Sequence, residues 1–480
     1  MSLTDVLVVT HYLIATIFSL TVLLENRNPM KTMGFVLVMY FIPVIGVGIY
    51  LLFGQNYRKH KLFSRKGVRD NVLVRAWEEE MMGVIKEVDE LASNLLEEKW
   101  KVVNVIRNSD KSLLTFRNKA KVLQNGKETF EEILAAIESA NHHVHVEYYI
   151  VEDDAIGRKF SEALIQKAKE GVQVRFIYDD VGSSGLKKKF LKPMVDAGVE
   201  VRPFMPVLFP LLTSRANFRD HRKIVIVDGK VGFLGGINLA ARYANLSDDF
   251  VYWRDTHFKI EGDAVKSLQL NFLLMWKFVT DQTPEISSAY FPKTEIDDIC
   301  MMQIAASGPD SDRATIMSAF FTAINSAREE IRITTPYFIP NDEMLMAIQT
   351  AALSGVDVKV ILPAKSDSRL VQSAVMSYVR ELLESGVKVY LYKKGFVHAK
   401  TMTIDDRLCT IGTANMDYRS FDINFEINAM VYDEDITSRL RSDFNADLEE
   451  CIEVKLERWE KRRLRRRLAE SLARLVAPLL

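Results

Sequence analysis

Cysteine is almost missing: Cys300, Cys409 and Cys451 are the 3 in 480 residues, and no two form a C-x-x-C pair. That excludes a disulfide-stapled extracellular scaffold and points to a reducing compartment. There is no G-x-x-x-x-G-K-[ST] and no G-x-G-x-x-G, so no motif supports a nucleotide cofactor. A net charge of −1 lacks the bulk positive excess of a nucleic-acid-binding protein. Met1 to Asp5 carries neither Lys nor Arg, and no small-residue cleavage site follows the first apolar run. That run therefore reads as a retained segment and not as a signal peptide.

What stands at the amino end is a pair of long uncharged runs, Val6 to Leu24 and Met33 to Phe53. Each approaches the roughly 20 residues a helix needs to cross a bilayer. Their link, Glu25 to Thr32, holds Arg27 and Lys31, and Pro43, Gly46 and Gly48 are expected to bend the second run. Arg58, Lys59, Lys61, Arg65, Lys66 and Arg69 follow, and the positive-inside rule puts that segment and the bulk of the chain in the cytoplasm. The expectation is a two-helix transmembrane hairpin over 1–56, then a basic and acidic helical connector over 57–112 that includes Glu78, Glu79 and Glu80.

The chemistry is concentrated in one stretch that occurs twice. His221-Arg222-Lys223 runs on to Asp228, and His398-Ala399-Lys400 runs on to Asp405. Both read H-x-K-x-x-x-x-D, and both return to an asparagine 17 positions after the histidine, Asn238 and Asn415. β-Branched content makes Lys223–Val227 and Lys400–Ile404 strands, on which the His and Lys of each motif share a face. A two-residue turn at Gly229-Lys230, or at Asp406-Arg407, would pair His221 with Asn238 and His398 with Asn415. Gly235, Gly236 and Gly412 in the return strands let backbone or ligand come close.

Each hairpin then sets an imidazole, an ammonium and a carboxamide side by side. Two such clusters facing each other suit phosphodiester exchange. One neutral imidazole attacks phosphorus while the other, protonated, donates to the departing alkoxide. Lys223, Lys400, Asn238 and Asn415 neutralise the non-bridging oxygens, work that other enzymes give to a metal, so no metal or cofactor is expected. Asp228 and Asp405 complete the motif at the turns, where a structural role competes with a catalytic one.

From about Leu113 strands and helices alternate, and the order repeats. Phe130–Ala140 helix, His143–Ile150 strand, Ala155–Gly171 helix and Val172–Tyr178 strand return as Ile316–Ala327, Glu330–Ile339, Glu343–Gly355 and Val356–Leu362. This is an internal duplication of an α/β unit, with halves at 113–290 and 291–455 and one motif closing each. The halves should meet at a pseudo-twofold cleft.

The paired motifs resemble the phospholipase D superfamily. Trp253-Arg254-Asp255-Thr256-His257, Thr335-Pro336-Tyr337-Phe338-Ile339-Pro340 and Gly412-Thr413-Ala414-Asn415-Met416-Asp417 are similar to bacterial cardiolipin synthases, over nearly the whole chain. The resemblance implies transfer of a phosphatidyl group between two phosphatidylglycerol molecules with release of glycerol, in a bacterial inner membrane. It implies His221 as nucleophile, His398 as acid and base, and Asp255 and Glu426 as the carboxylates that orient the imidazoles. The family often has a serine after the return-strand glycine; this chain has Gly236 and Thr413, so a phosphate contact there is missing from the first half. A hydrolase or a transferase using another headgroup would need the same residues, and a lipid-binding scaffold without turnover is the third reading. Anionic lipids are the expected partners, nucleic acid is not, and a homodimer is compatible with the pattern.

Three segments lie outside the motifs. His143 and His145 share a strand face, but no further ligand at metal-site spacing completes a site. The first half carries an 11-residue insert within Val207–Arg219, opening Val207-Leu208-Phe209-Pro210, suited to dipping into a bilayer or to folding over the core. The tail, 456–480, contains Lys461-Arg462-Arg463 and Arg465-Arg466-Arg467 with Leu464, Leu468, Leu472 and Leu475 at helical spacing. That composition suits a helix on anionic lipid or one packed on its own domain.

Overall fold

The computed structural model describes residues 2–24, 29–42, 44–50, 72–206, 217–247, 249–293, 295–311 and 313–477. The basic run at 58–69, most of the first-half insert, residues 25–28 of the amino-terminal link and the last three residues lie outside them.

Helix α1 (Leu3–Leu24) contains Thr4–Leu24, the one helix among the described residues long and apolar enough to cross a membrane. Helix α2 (Pro29–Phe41) folds back on it, with Ala15, Val22, Met39 and Tyr50 buried together and the Thr16 and Tyr40 hydroxyls 2.8 Å apart. The second run is not the single helix expected from its length. After α2, Val44 takes a φ of 65° and a short α3 (Ile45–Ile49) begins. Gly46 makes that fold possible, since a Cβ there would lie 2.1 Å from the Val38 carbonyl oxygen. Val44 lies outside helical geometry and divides the described part of the run into two pieces, although the Gly46 N–H still reaches the Ile42 carbonyl at 2.8 Å.

The connector forms α4 (Val72–Leu96) and α5 (Trp100–Asp110). Val74, Trp77, Met81 and Ile85 recur every three or four residues, and that stripe is buried in the largest core of the protein. The acidic face is left to solvent.

The first half runs β1 (Thr115–Gln124), α6 (Asn125–Glu138), β2 (His143–Tyr148), α7 (Ala155–Lys169), β3 (Gln173–Asp179), α8 (Lys188–Asp196), β4 (Glu200–Phe204), β5 (Lys223–Val227), β6 (Val231–Gly235), β7 (Trp253–Arg254), β8 (Thr256–Gly262) and α9 (Asp263–Thr280). The second runs β9 (Ile299–Ser307), α10 (Thr315–Asn325), β10 (Glu330–Thr334), β11 (Phe338–Ile339), α11 (Asp342–Leu353), β12 (Asp357–Pro363), α12 (Arg369–Glu384), β13 (Lys388–Tyr392), β14 (Phe396–Val397), β15 (Thr401–Ile404), β16 (Leu408–Gly412), β17 (Met416–Asp417), α13 (Tyr418–Asp422), β18 (Glu426–Tyr432) and α14 (Glu434–Glu449). Strand β19 (Cys451–Glu453) and helices α15 (Leu456–Glu460) and α16 (Leu464–Leu475) close the chain.

The halves are not two sheets in contact but one sheet of 15 strands, ordered β19-β13-β12-β10-β15-β16-β18-β9-β1-β8-β6-β5-β2-β3-β4. Apart from β19 the order is palindromic about the antiparallel β9–β1 pair, where Thr115 faces Met302. The duplication read from the sequence is thus a twofold written into one hydrogen-bonded ladder. Helices cover both faces, and β5 shows why the strand must be apolar throughout. Val225 and Val227 enter one core with α6 and α7, while Ile224 and Ile226 enter another with α9.

Candidate active site

Strands β5 and β6 pair Ile224 with Leu234 and Val227 with Val231; β15 and β16 pair Thr401 with Ile411 and Ile404 with Leu408. Both turns therefore hold three residues, not the two expected, and the register slips by one, so His221 does not face Asn238 across the ladder. The reason lies in the motif aspartates. Asp228 and Asp405 adopt left-handed φ values of 52° and 53° and start the turn themselves.

Their carboxylates are committed to backbone. Asp228 accepts from the N–H groups of Asn141, His142 and His143 at 2.8 to 2.9 Å. Asp405 accepts from Arg328, Glu329 and Glu330 and from Lys99 Nζ at 2.8 Å. Burial alone would raise the Asp228 pKa, but these donors hold it below the ordinary value. These aspartates fasten the loop that enters β2 or β10, at the end of each hairpin away from the imidazoles.

The histidines sit just before their strands, and each is gripped by the opposite half. The His221 N–H donates to the Phe425 carbonyl at 2.9 Å, and the His398 N–H to the Arg254 carbonyl at 2.7 Å. The side chains cross over too. His221 Nδ1 donates to Glu426 Oε2 at 3.0 Å, and His398 Nδ1 to Asp255 Oδ2 at 2.7 Å. A carboxylate only accepts, so beside ionised Asp255, and beside Glu426 when it is ionised, the imidazole carries its proton on Nδ1 and leaves Nε2 free to attack or to take a proton. Lys223 Nζ donates to the His221 carbonyl at 2.6 Å, and Lys400 Nζ to the His398 carbonyl at 2.5 Å.

Both lysines are buried, and burial weakens the protonation of each. Burial, with a smaller push from Lys400, brings Lys223 down to about 7 against the pull of Glu426, and burial brings Lys400 down to about 8 against Asp255 and Glu426. Two buried ammonium groups in one cleft are a focus for an anion. Asn238 Oδ1 accepts from the Ile150 N–H at 3.2 Å, and its Nδ2 donates to the Tyr243 hydroxyl at 3.2 Å. Asn415 Oδ1 is buried with no partner among the described residues.

The two imidazoles are not equivalent. Asp255 lies fully buried, yet His398 and Lys400 outweigh burial and bring it to about 2, so it is ionised beside His398. Glu426 is pushed up to about 7 by burial, against Lys223, Thr413 and Asn424. His221 is held well below its ordinary value by burial and then by Lys223 and Lys400. Burial and Lys400 also lower His398, to about 4, but the ionised Asp255 opposes them. Both imidazoles are thus held below their ordinary value, and the ionised Asp255 opposes that only at His398.

Sequence reasoning missed three features. Thr413 Oγ1 donates to Glu426 Oε2 at 2.5 Å, so the hydroxyl expected to face a phosphate clamps the carboxylate. At the matching Gly236 a Cβ would stand 2.1 Å from Asp255 Oδ1, so the carboxylate fills the space of the missing side chain. Around His398 stand the rings of Trp253, Phe396, Tyr243 and Tyr337, with centroids 5.1 to 6.5 Å away, whereas Tyr149, at 4.9 Å, is the ring against His221. Aromatic residues flanking the motifs were the available signal. His143 and His145, by contrast, are buried on either side of Gln269, bonded to it at 3.0 and 2.8 Å, and belong to the core.

Residues 133–276 and 320–448 match the family model described as cardiolipin synthase, PLD-like domain, and 13–55 match a phospholipase D-nuclease N-terminal model. The chain is 44% identical over 472 residues to cardiolipin synthase 2 of Bacillus anthracis, covering 97% of this chain and 90% of that protein. It is 42% identical to a cardiolipin synthase of a Geobacillus species, covering 95% and 90%. Among solved structures, the phosphatidylserine synthase of Haemophilus influenzae superposes with a TM-score of 0.60 at 15% identity, over 79% of this chain and 100% of that one, which shows a shared fold.

Proposed function

The chain belongs to the cardiolipin synthase family of phospholipase D-like proteins, and from that premise we propose that it moves a phosphatidyl group from one phosphatidylglycerol to another. The observation that carries this reading is the crossed pair of histidine–carboxylate contacts, which leaves two Nε2 atoms free among buried lysines. His221 Nε2 attacks the donor phosphorus as the bond from phosphorus to the glycerol headgroup oxygen breaks, and His398, protonated on both nitrogens at this step, gives its Nε2 proton to that oxygen. A hydroxyl of the second phosphatidylglycerol then gives its proton to His398 and attacks the same phosphorus. The bond from phosphorus to nitrogen breaks, and His221 returns neutral. Lys223, Lys400 and the two asparagines balance the charge on the non-bridging oxygens throughout.

The ring-lined side at His398 is where glycerol leaves and the acceptor enters, and its apolar walls disfavour water as the acceptor. Asp255 and Glu426 orient the imidazoles. The amino-terminal helices hold the enzyme at a bacterial inner membrane as a two-pass anchor, with the catalytic halves on the cytoplasmic side, the orientation favoured by the basic run at 58–69.

Product analysis tests the reading with purified protein in phosphatidylglycerol bilayers and a strong chelator, beside His221→Ala and His398→Ala. Cardiolipin and glycerol should appear in equal amounts and be lost in both variants. Phosphatidic acid as the main product would make the protein a hydrolase, and product from another headgroup donor alone would change the substrate.

A further inference from the structure

Helix α16 is amphipathic in the wrong sense for a helix of a soluble domain. The face it packs against α12 holds small and polar groups: Ala473 is buried, and Glu470, also buried, accepts from Arg462 at 2.6 Å and Arg466 at 3.2 Å. Arg474 lies over the Tyr378 ring at 4.3 Å and pairs with Glu381 of α12. The docking is specific, so the helix cannot simply roll to hide its other side.

That other side is leucine. Leu464, Leu468, Leu472 and Leu475 are 77%, 58%, 57% and 77% exposed. At 3.6 residues per turn the four fall within an arc of about 80°, opposite Ala473. Lys461, Arg463, Arg465 and Arg467 surround the stripe and make no ion pair among the described residues, while Arg462, Arg466 and Arg474 are spent on Glu470 and Glu381. An apolar stripe bordered by unpaired cations matches the boundary between acyl chains and anionic headgroups.

We propose that α16 docks on the surface of an anionic bilayer, its four leucines entering the acyl boundary and its free basic residues meeting lipid phosphates. The occupant is a membrane and not a protein groove because the charge ringing the leucines has one sign and the stripe is convex. This contact is separate from α1 and lies at the opposite end of the chain. It fixes the second half against the membrane from which the substrate comes.

The test uses the full chain in vesicles, with Cys451→Ser to leave only the buried Cys300 and Cys409, and an environment-sensitive fluorophore on Leu472→Cys. Vesicles are phosphatidylcholine alone or with phosphatidylglycerol, each with an acyl-chain quencher. Quenching of about twofold or more is expected in the anionic vesicles only, and it should fall with salt and with Arg463, Arg465 and Arg467 changed to Gln. A label on exposed Lys192→Cys should stay unquenched. Equal quenching in both vesicle types would overturn the role of charge. A label open to aqueous iodide in both would make the stripe an ordinary wetted face. Protection that grows with protein concentration and ignores lipid would put a second copy on it, and that too would overturn the proposal.

Discussion

At the residue scale, the proposed division of labour between the two histidines rests on the different states of their carboxylates. Ionised Asp255 is the main attraction holding a proton on His398. In Asp255→Asn the alkaline limb of the pH–rate profile should therefore move to lower pH by about one unit, with kcat down by about 10²- to 10⁴-fold. Glu426, already at about 7, is partly neutral near physiological pH, so Glu426→Gln should move the limbs less. Equal shifts in the two variants would mean that the imidazoles share their roles. Gly236→Ala should mimic Asp255→Asn, because the added Cβ would stand 2.1 Å from Asp255 Oδ1 and must displace it. The same steady-state assay reads it, and turnover near wild type would show that the carboxylate can move without loss.

At the element scale, each motif is a hairpin with chemistry at one end and a fastening at the other. Asp228→Ala and Asp405→Ala each orphan three backbone N–H groups, a loss of about 1–3 kcal/mol in thermal or denaturant unfolding. The sign with pH follows from the depressed carboxylate: its stabilisation is present above the unfolded pKa and lost as pH falls through the lower folded value. The gap between wild type and Asp228→Ala should accordingly close in acid. Turnover abolished with unchanged unfolding would return these aspartates to the chemistry. The three-residue turn was hidden in the sequence for a physical reason. Gly229-Lys230 satisfies the rule for a tight turn, and only the left-handed Asp228, stabilised by backbone donors 85 to 87 residues away, adds the third residue.

At the scale of the whole molecule, the site exists only where the halves exchange groups. His221 takes its carboxylate and its backbone anchor from the second half, and His398 takes both from the first. Residues 113–290 expressed alone should show no turnover, and the unpaired β1 edge should drive them to associate. Size-exclusion chromatography and the lipid assay check both outcomes. The ring-lined side at His398 gives a second whole-site expectation. Trp253→Ala should open it to water and raise the ratio of phosphatidic acid to cardiolipin severalfold, by lipid chromatography, with total turnover falling less.

The sequence by itself determined the duplicated α/β plan, the two histidines, two lysines and two asparagines, and the family, because β-branched periodicity and a repeated spacing are local properties of the chain. It also pointed to an apolar amino end, although the second run proved to be two helical pieces, broken at Val44 and packed through Gly46. Tertiary structure alone decided that Asp255 serves the histidine of the other half, as Glu426 does, and that Thr413 clamps a carboxylate. It also decided that the leucines of α16 face outward. The crossed carboxylates depend on which surfaces meet between the halves, 143 and 205 positions apart, the clamp on how β16 meets β18, and the outward leucines on what α12 covers; none of these meetings leaves a periodic trace in the chain.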